Sequence, residues 1–250
     1  MTFHIHHAGA TDVGIQRSHN EDAILVDGER GVFVICDGMG GHASGAVASE
    51  LAVATIARAL TTASPGGDEP LVHAILAANQ AVYDRSALDA ECHGMGTTVV
   101  GIRFDGDNVH ICHVGDSRIY LLRGGELFQV TRDHSLINLY ADHPDLIGKL
   151  GPAHSNIIVR AVGLRELVEV DHNIVALEDG DLFLLCSDGL VDMAEDWMVR
   201  EMLTAGESLD ETAATLIRAA NNHGGADNVS VILARAERVL TGSAPEPPQP

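Results

Sequence analysis

Lysine is almost missing from this chain. Lys149 is the only one, so the other bases are arginines, and the 15 basic residues face 36 acids for a formal net charge of −21. A surface of that sign repels nucleic acid and anionic membranes, which argues against both as partners. It favours cations instead, and it leaves arginine as the side chain for any phosphate contact, with a fork suited to bidentate binding. Cysteine is sparse too: Cys36, Cys92, Cys112 and Cys186 form no CxxC pair. That spacing argues against a zinc site on the cysteines and fits buried, reduced thiols. There is no apolar run long enough to span a bilayer, and the start, Met1 to His7, has no signal-peptide core. The expectation is a cytoplasmic, monomeric globular protein. Its 250 residues, 46% of them hydrophobic, suffice for a sizeable core.

What is present is a recurring device. Val34-Ile35-Cys36-Asp37 is an apolar run ending at an acid, followed by Gly38, Gly40 and Gly41. It reads as a buried strand delivering a carboxylate to a tight turn. The device recurs at Val114-Gly115-Asp116 and at Leu185-Cys186-Ser187-Asp188-Gly189, and in a Gly-rich loop at Asp227-Asn228. Glu21-Asp22 adds an acidic pair at the start of another strand, four residues after Arg17.

Around these points the pattern predicts an edge strand over 3–9, with His4 and His6 on one solvated face, and a hairpin of 23–26 with 31–36. Helices are predicted over 44–62 and 70–88, packing side by side on a sheet. Strands follow at 97–104, 109–114, 118–123 and 126–131, then an irregular excursion over 134–156. Further strands are expected at 157–161, 168–176, 182–186 and 229–234, with helices at 196–205 and 209–222. Ser208 and Glu211 have capping-box spacing. Residues 1–238 read as one domain, and the tail 239–250, with four prolines, reads as disordered.

Each acid alone is equally well an ordinary turn residue. Gathered together without cations, five or six carboxylates repel by several kcal/mol. They therefore either stay apart or surround metal. An oxygen-only set favours Mg²⁺ or Mn²⁺ over Zn²⁺. Two such ions about 4 Å apart would lower the pKa of a bridging water and aim it at phosphorus, with Arg17 on the phosphoryl oxygens.

The set Arg17-x-x-Asn20-Glu21-Asp22, Asp37-Gly38-Met39-Gly40-Gly41-His42, Gly96-Thr97-Thr98, Gly115-Asp116-Ser117-Arg118, Asp133-His134-Ser135, Ser187-Asp188-Gly189 and Asp227-Asn228 resembles the metal-dependent protein phosphatases, the type 2C Ser/Thr enzymes, most closely their bacterial branch. Seven motifs in family order over residues 5–236 make the resemblance specific. It implies an α+β fold: a four-layer α-β-β-α sandwich of two antiparallel β-sheets flanked by helix pairs. It also implies hydrolysis of phosphoserine and phosphothreonine by in-line attack of a metal-bridging hydroxide. Asp37 would bridge two Mn²⁺ or Mg²⁺ ions, Asp188 and Asp227 would ligate one, and Glu21 with the Gly38 carbonyl the other. Asp116 with Asp188 would hold a third, weaker ion. Arg17 would bind the substrate phosphate, and Asp22 and Asn228 would support the ligands from behind. The implied substrates are phosphorylated proteins, among them a Ser/Thr kinase of the same cell.

Two departures stand out. Met39 follows Asp-Gly where many eukaryotic members carry a histidine, and a thioether donates no proton. His42 and metal-bound water are then the candidate donors; contact with the following helix is the plain alternative for His42. The variable flap at 134–156 carries His143-Pro144 and Gly151-Pro152, which stiffen it. Rival readings are a silent binding module on the same fold and a hydrolase of small phosphoesters.

Overall fold

The hairpin that carries Asp37 sets the frame for the rest. The computed structural model describes residues 2–40, 44–62, 69–141 and 157–239. In it β1 (Thr2–Asp12) is followed by β2 (Asp22–Asp27) and β3 (Val32–Met39), which pair antiparallel with Asp22 opposite Asp37. β4 (Gly96–Thr97) and β5 (Val99–Asp105) both join β3; β6 (Asn108–Val114) pairs with β5. The second sheet takes β7 (Arg118–Arg123) and β8 (Glu126–Gln129), while β9 (Asp171–Ala176) closes the edge of the first beside β6. β10 (Leu182–Cys186) and β11 (Val229–Val239) complete the second sheet, in the order β1-β11-β10-β7-β8. The first runs β2-β3-β5-β6-β9. Every strand pairing among the described residues is antiparallel.

Period-two alternation sorts the side chains into three cores. Phe33, Ile35, Val100, Ile102 and Ile111 of one sheet meet Ile119, Leu121, Phe183, Leu185 and Ile232 of the other. The alternate residues Val34, Cys36, Val99 and Cys112 face α1 (Ser44–Thr62) and α2 (Pro70–Leu88). On the far side Leu182, Leu184 and Leu233 face α5 (Asp196–Thr204) and α6 (Leu209–Asn222). The short helices α3 (Leu136–Leu139) and α4 (Asp188–Val191) lie at one end of the sandwich. Helix pair, sheet, sheet, helix pair is the expected four-layer α+β sandwich.

The helices at 44–62, 70–88 and 209–222 stand where the periodicity puts them, and the Ser208–Glu211 capping box is formed. Differences concentrate at the acids. β3 does not stop at Asp37; it continues to Met39 because Gly38 and Met39 pair with Thr97 and Gly96. The strand expected over 97–104 is broken at Thr98, whose N–H donates to the Asp37 carbonyl at 2.8 Å. Residues 157–161 form no strand and contribute an isolated bridge, Ile158 to Ser135; Val162 makes another to Thr97. Asp188-Gly189 opens the helical turn α4 rather than a loop. His42, residues 142–156 of the flap and the tail from 240 lie outside the described residues. Among the described residues no helix is long and apolar enough to cross a membrane.

Phe183 is fully buried at the centre, edge-to-face with Phe104, which meets Phe33 the same way. Phe183→Ala is expected to cost about 3–5 kcal/mol of unfolding free energy, against about 1 kcal/mol for Ser208→Ala at the α6 cap. Urea unfolding of both variants checks the ranking.

Candidate metal centre

The same alternation that fills the inter-sheet core places Asp22 and Asp37 on its side of the first sheet. They continue the rows of Ile24 and of Phe33 and Ile35. Ser187 and Ser230 occupy the matching positions at the end of the second sheet. Both donate to Asp22 Oδ2, at 2.8 and 2.6 Å. Asp37 is within hydrogen-bonding reach of both Asp22 and Asp188. Thr98 Oγ1 meets Ser117 Oγ at 2.7 Å and accepts from the Asp37 N–H at 3.1 Å.

Electrostatics show how costly this gathering is. Burial, then the charge of Asp22, and then those of Asp188 and Asp227, push the Asp37 carboxyl well above its usual range. Burial followed by the Asp116 charge lifts Asp188 to about 7. Burial lifts Asp116 to about 6, and lifts Asp22 to about 6 against the two serine hydroxyls. Glu21 is raised by burial despite Arg17. Asp22 Oδ1, Asp116 Oδ1 and Asp188 Oδ1 are buried without a hydrogen-bond partner. Orphaned carboxylate oxygens in a low-dielectric site are what a hard cation would satisfy. The residues present therefore fit divalent metal.

Glu21 and Gly38 converge on a second spot. The Gly38 N–H donates to the Glu21 carbonyl at 3.1 Å. A Cβ built on Gly45, in the first turn of α1, would fall 2.7 Å from Glu21 Oε2 and 2.8 Å from the Gly38 carbonyl oxygen. One built on Gly38 would fall 2.1 Å from the Gly45 carbonyl oxygen. The carboxylate and the carbonyl thus meet over a helix start that only glycine leaves open. Asn228 fixes the approach: its Oδ1 accepts from the Glu21 N–H at 2.8 Å, and its Nδ2 donates to the carbonyls of Val13 and His19. Arg17 lies at the rim, half-exposed, with Nη2 donating to Asp227 Oδ2 at 2.5 Å and Nε to the Ala226 carbonyl.

Asp116 and Asp188 open onto a cleft of about 490 Å³ that Asp192, Arg118 and Asp133 also line. Arg118 is held against Asp133 by contacts of 2.8–3.1 Å. The structure therefore brings together Glu21, Asp22, Asp37, Gly38, Asp116, Asp188, Asp227 and Asn228, with Arg17 on Asp227; His42 lies outside the described residues. Sequence reasoning passed over Asp192, one turn after Asp188, whose carboxyl burial raises against the pull of Arg118. It also passed over Gly45 and the serines on Asp22. Gly45 left a signal, since a glycine in a helix weakens it by about 1 kcal/mol and calls for a reason. Ser187 stood in a motif with nothing to mark it as a partner of Asp22, and Ser230 left no signal, because contacts from strands far apart in sequence put them there.

Two antiparallel sheets packed face to face, with buried acids gathered at one end, define a four-layer α+β sandwich with a carboxylate-lined, metal-type site. The chain belongs to the protein phosphatase 2C family, whose model matches residues 15–234. It is 39% identical over 242 residues to the serine/threonine protein phosphatase PstP of Mycobacterium tuberculosis, covering 94% of this chain and 45% of that protein. The chain thus spans about half the length of that relative. It is 36% identical over 232 residues to the protein phosphatase PhpP of Streptococcus pneumoniae, covering 89% of this chain and 94% of PhpP. The crystal structure of M. tuberculosis PstP superposes with a TM-score of 0.84 at 37% identity, covering 94% of this chain and 99% of that one. A PstP catalytic domain in complex with two manganese ions gives 0.84 at 36% identity, covering 95% and 100%.

Raised carboxyl pKa values have a defined consequence without metal. An unfolded Asp titrates near about 3.9. Asp188 titrates at about 7 in the fold, so between these values the folded state holds the extra proton. Its contribution to stability is lost as pH rises through that window. Asp188→Asn should raise the melting temperature of the chelator-treated protein at pH 7.5, and the gain should shrink towards pH 4.5. Thermal melts of both proteins across that range check the sign; a gain that grows on acidification contradicts the assignment.

Proposed function

We propose that the chain is a metal-dependent protein phosphatase that hydrolyses phosphoserine and phosphothreonine. The observation that carries this reading is the set of buried, unpartnered carboxylate oxygens: those of Asp22 and Asp188, both within reach of Asp37, and that of Asp116, whose charge bears on Asp188. The named activities of the relatives and the manganese in one of their structures support it. Two Mn²⁺ or Mg²⁺ ions, when bound, would supply Lewis acidity at phosphorus and lower the pKa of the attacking water.

The residues divide the work. Asp37 would bridge both ions, with Asp188 and Asp227 on one and Glu21 and the Gly38 carbonyl on the other. Asp116 with Asp188 would hold a third, weaker ion. Asp22 holds its orientation through Ser187 and Ser230, and Asn228 holds the Glu21 backbone, so both act by keeping ligands in place. Arg17 would swing its guanidinium between Asp227 and a substrate phosphate. With Met39 unable to donate, His42 or water would protonate the leaving group. The catalytic unit is residues 1–238, monomeric and cytoplasmic, and phosphorylated proteins, a Ser/Thr kinase among them, are its substrates.

Phosphate release from a phosphothreonine peptide should need Mn²⁺ and stop with excess chelator. No release from folded, Mn²⁺-loaded protein would overturn the reading. Arg17→Ala should raise KM for the peptide about tenfold or more, the worth of a charge-assisted contact, with a smaller change in kcat. An unchanged KM would move the phosphate contact elsewhere. His42→Ala should lower kcat for alkyl phosphoesters far more than for p-nitrophenyl phosphate; equal effects would remove its role.

A further inference from the structure

The outward rows of the first sheet carry a second group of metal-type donors at the opposite end from the acids. β3, β5 and β6 deliver their catalytic-end residues, Asp37, Thr98 and Asp116, to one end. Arg103 and His110 stand towards the other on the face that α1 and α2 cover. His110 is six residues before Asp116, which at about 3.3 Å per residue puts it about 20 Å away. His172 of β9 lies diagonally across from it, since His110 pairs with Ile174 and Cys112 with His172. Glu69, immediately before α2, closes the group.

Its geometry is unusually definite. His110 Nδ1 is 2.7 Å from Glu69 Oε2 and 3.1 Å from His172 Nε2, and the two rings are stacked with centroids 5.3 Å apart. All three donor atoms lie within 4.8 Å of one another. A carboxylate offers about four lone-pair positions. Three on Glu69 are taken by fixed donors: Arg103 Nε and the Leu71 N–H on Oε1, and Arg103 Nη2 on Oε2. The fourth points at His110. His110 Nδ1 thus faces a carboxylate oxygen on one side and a second imidazole nitrogen on the other, the arrangement in which a cation would be held.

We propose that Glu69, His110 and His172 form a zinc site, separate from the catalytic ions, with water as the fourth ligand on the exposed His172 side. Two imidazoles and a carboxylate suit Zn²⁺ over Mg²⁺ or Mn²⁺. Tetrahedral Zn²⁺ with bonds of about 2.1 Å separates its ligand atoms by about 3.4 Å, so the two close pairs, at 2.7 and 3.1 Å, need to open by only about 0.3–0.7 Å. A neutral imidazole that ligates through one ring nitrogen carries its proton on the other, so binding needs no net proton release. Burial, opposed by the Glu69 charge, lowers the pKa of His110, which leaves its ring neutral and ready to ligate at pH 7. Arg103 then plays the part of an outer hydrogen-bond partner that orients the ligating carboxylate, and it is tied in turn to Asp105 at 3.1 Å. Glu69, Arg103 and Asp105 together leave one net negative charge for the ion. The effect would be to pin the start of α2 to the sheet-edge strand β9.

A second His-carboxylate group, His113, His134 and Asp171, does not qualify, because its donors are committed. Arg160 Nη1 is 2.5 Å from Asp171 Oδ1 and 3.1 Å from His134 Nε2, and His113 Nε2 bonds the Arg132 carbonyl. A guanidinium already occupies that position.

The test uses the whole chain saturated with Mn²⁺, so that the acids are filled, and titrates Zn²⁺ against a chromophoric chelator. Wild-type protein should bind one zinc equivalent that His172→Ala and His110→Gln lose or bind at least about tenfold more weakly. His4→Ala/His6→Ala should keep it, excluding the amino-terminal histidines. Far-UV circular dichroism confirms that each variant is folded; His172 is exposed, so its removal leaves the core intact. Co²⁺ in the same site should give visible d–d absorption in wild type and none in His172→Ala. Equal zinc stoichiometry and affinity in wild type and folded His172→Ala would overturn the proposal.

Discussion

The constraint on which the structure depends is mutual repulsion among carboxylates in a dry place. Asp37 is buried with Asp22 and Asp188 in reach, and Asp116 and Asp227 add their charge nearby. Such an arrangement is unfavourable by itself at neutral pH. It persists because three hydrophobic cores hold the two sheets and their helices in register, and the acids ride on strand ends that those cores fix. The strain is therefore borne at one end of the sandwich and offset elsewhere. Divalent cations would convert it from a liability into binding energy.

The supporting contacts follow from that need. Two of the cluster's carboxylate oxygens are tied to neutral donors. Asp22 Oδ2 has two serine hydroxyls, and Asp227 Oδ1 has the Asn228 N–H at 2.8 Å. Neutral donors orient a carboxylate without cancelling the charge that attracts metal. Where a guanidinium appears, it lies at the rim, as Arg17 does on Asp227, or across the cleft, as Arg118 does on Asp133. Close backbone packing supplies the rest. Gly38 and Gly45 let the α1 start approach the 20–22 loop to a distance that no Cβ would permit.

The two faces of the first sheet serve different ends by the same alternation. Inward positions lead to the oxygen-only cluster, and outward positions lead to the mixed nitrogen and oxygen group of Glu69, His110 and His172. Hard and borderline cations prefer these two donor sets respectively. One sheet thus presents two chemically distinct cation environments about 20 Å apart, with an overall charge of −21 favouring both.

Much of this was legible from the chain alone, for local reasons. Apolar runs that end at Asp37, Asp116 and Asp188 mark strand ends, helical periodicity places α1, α2 and α6, and Ser208 with Glu211 caps the last of these. The motif order then marks the family, because glycines and acids at those spacings report close backbone approach and charge gathering. Tertiary structure alone decided which acids share a site, since Asp22 meets Ser187 and Ser230 across more than 160 positions. It alone also showed that Gly45 is a spacer, that Asp192 joins the cleft, and that His110 and His172 face one another beside Glu69. Local pattern determines which face of a strand a residue occupies; only the packing of distant strands determines what that face meets.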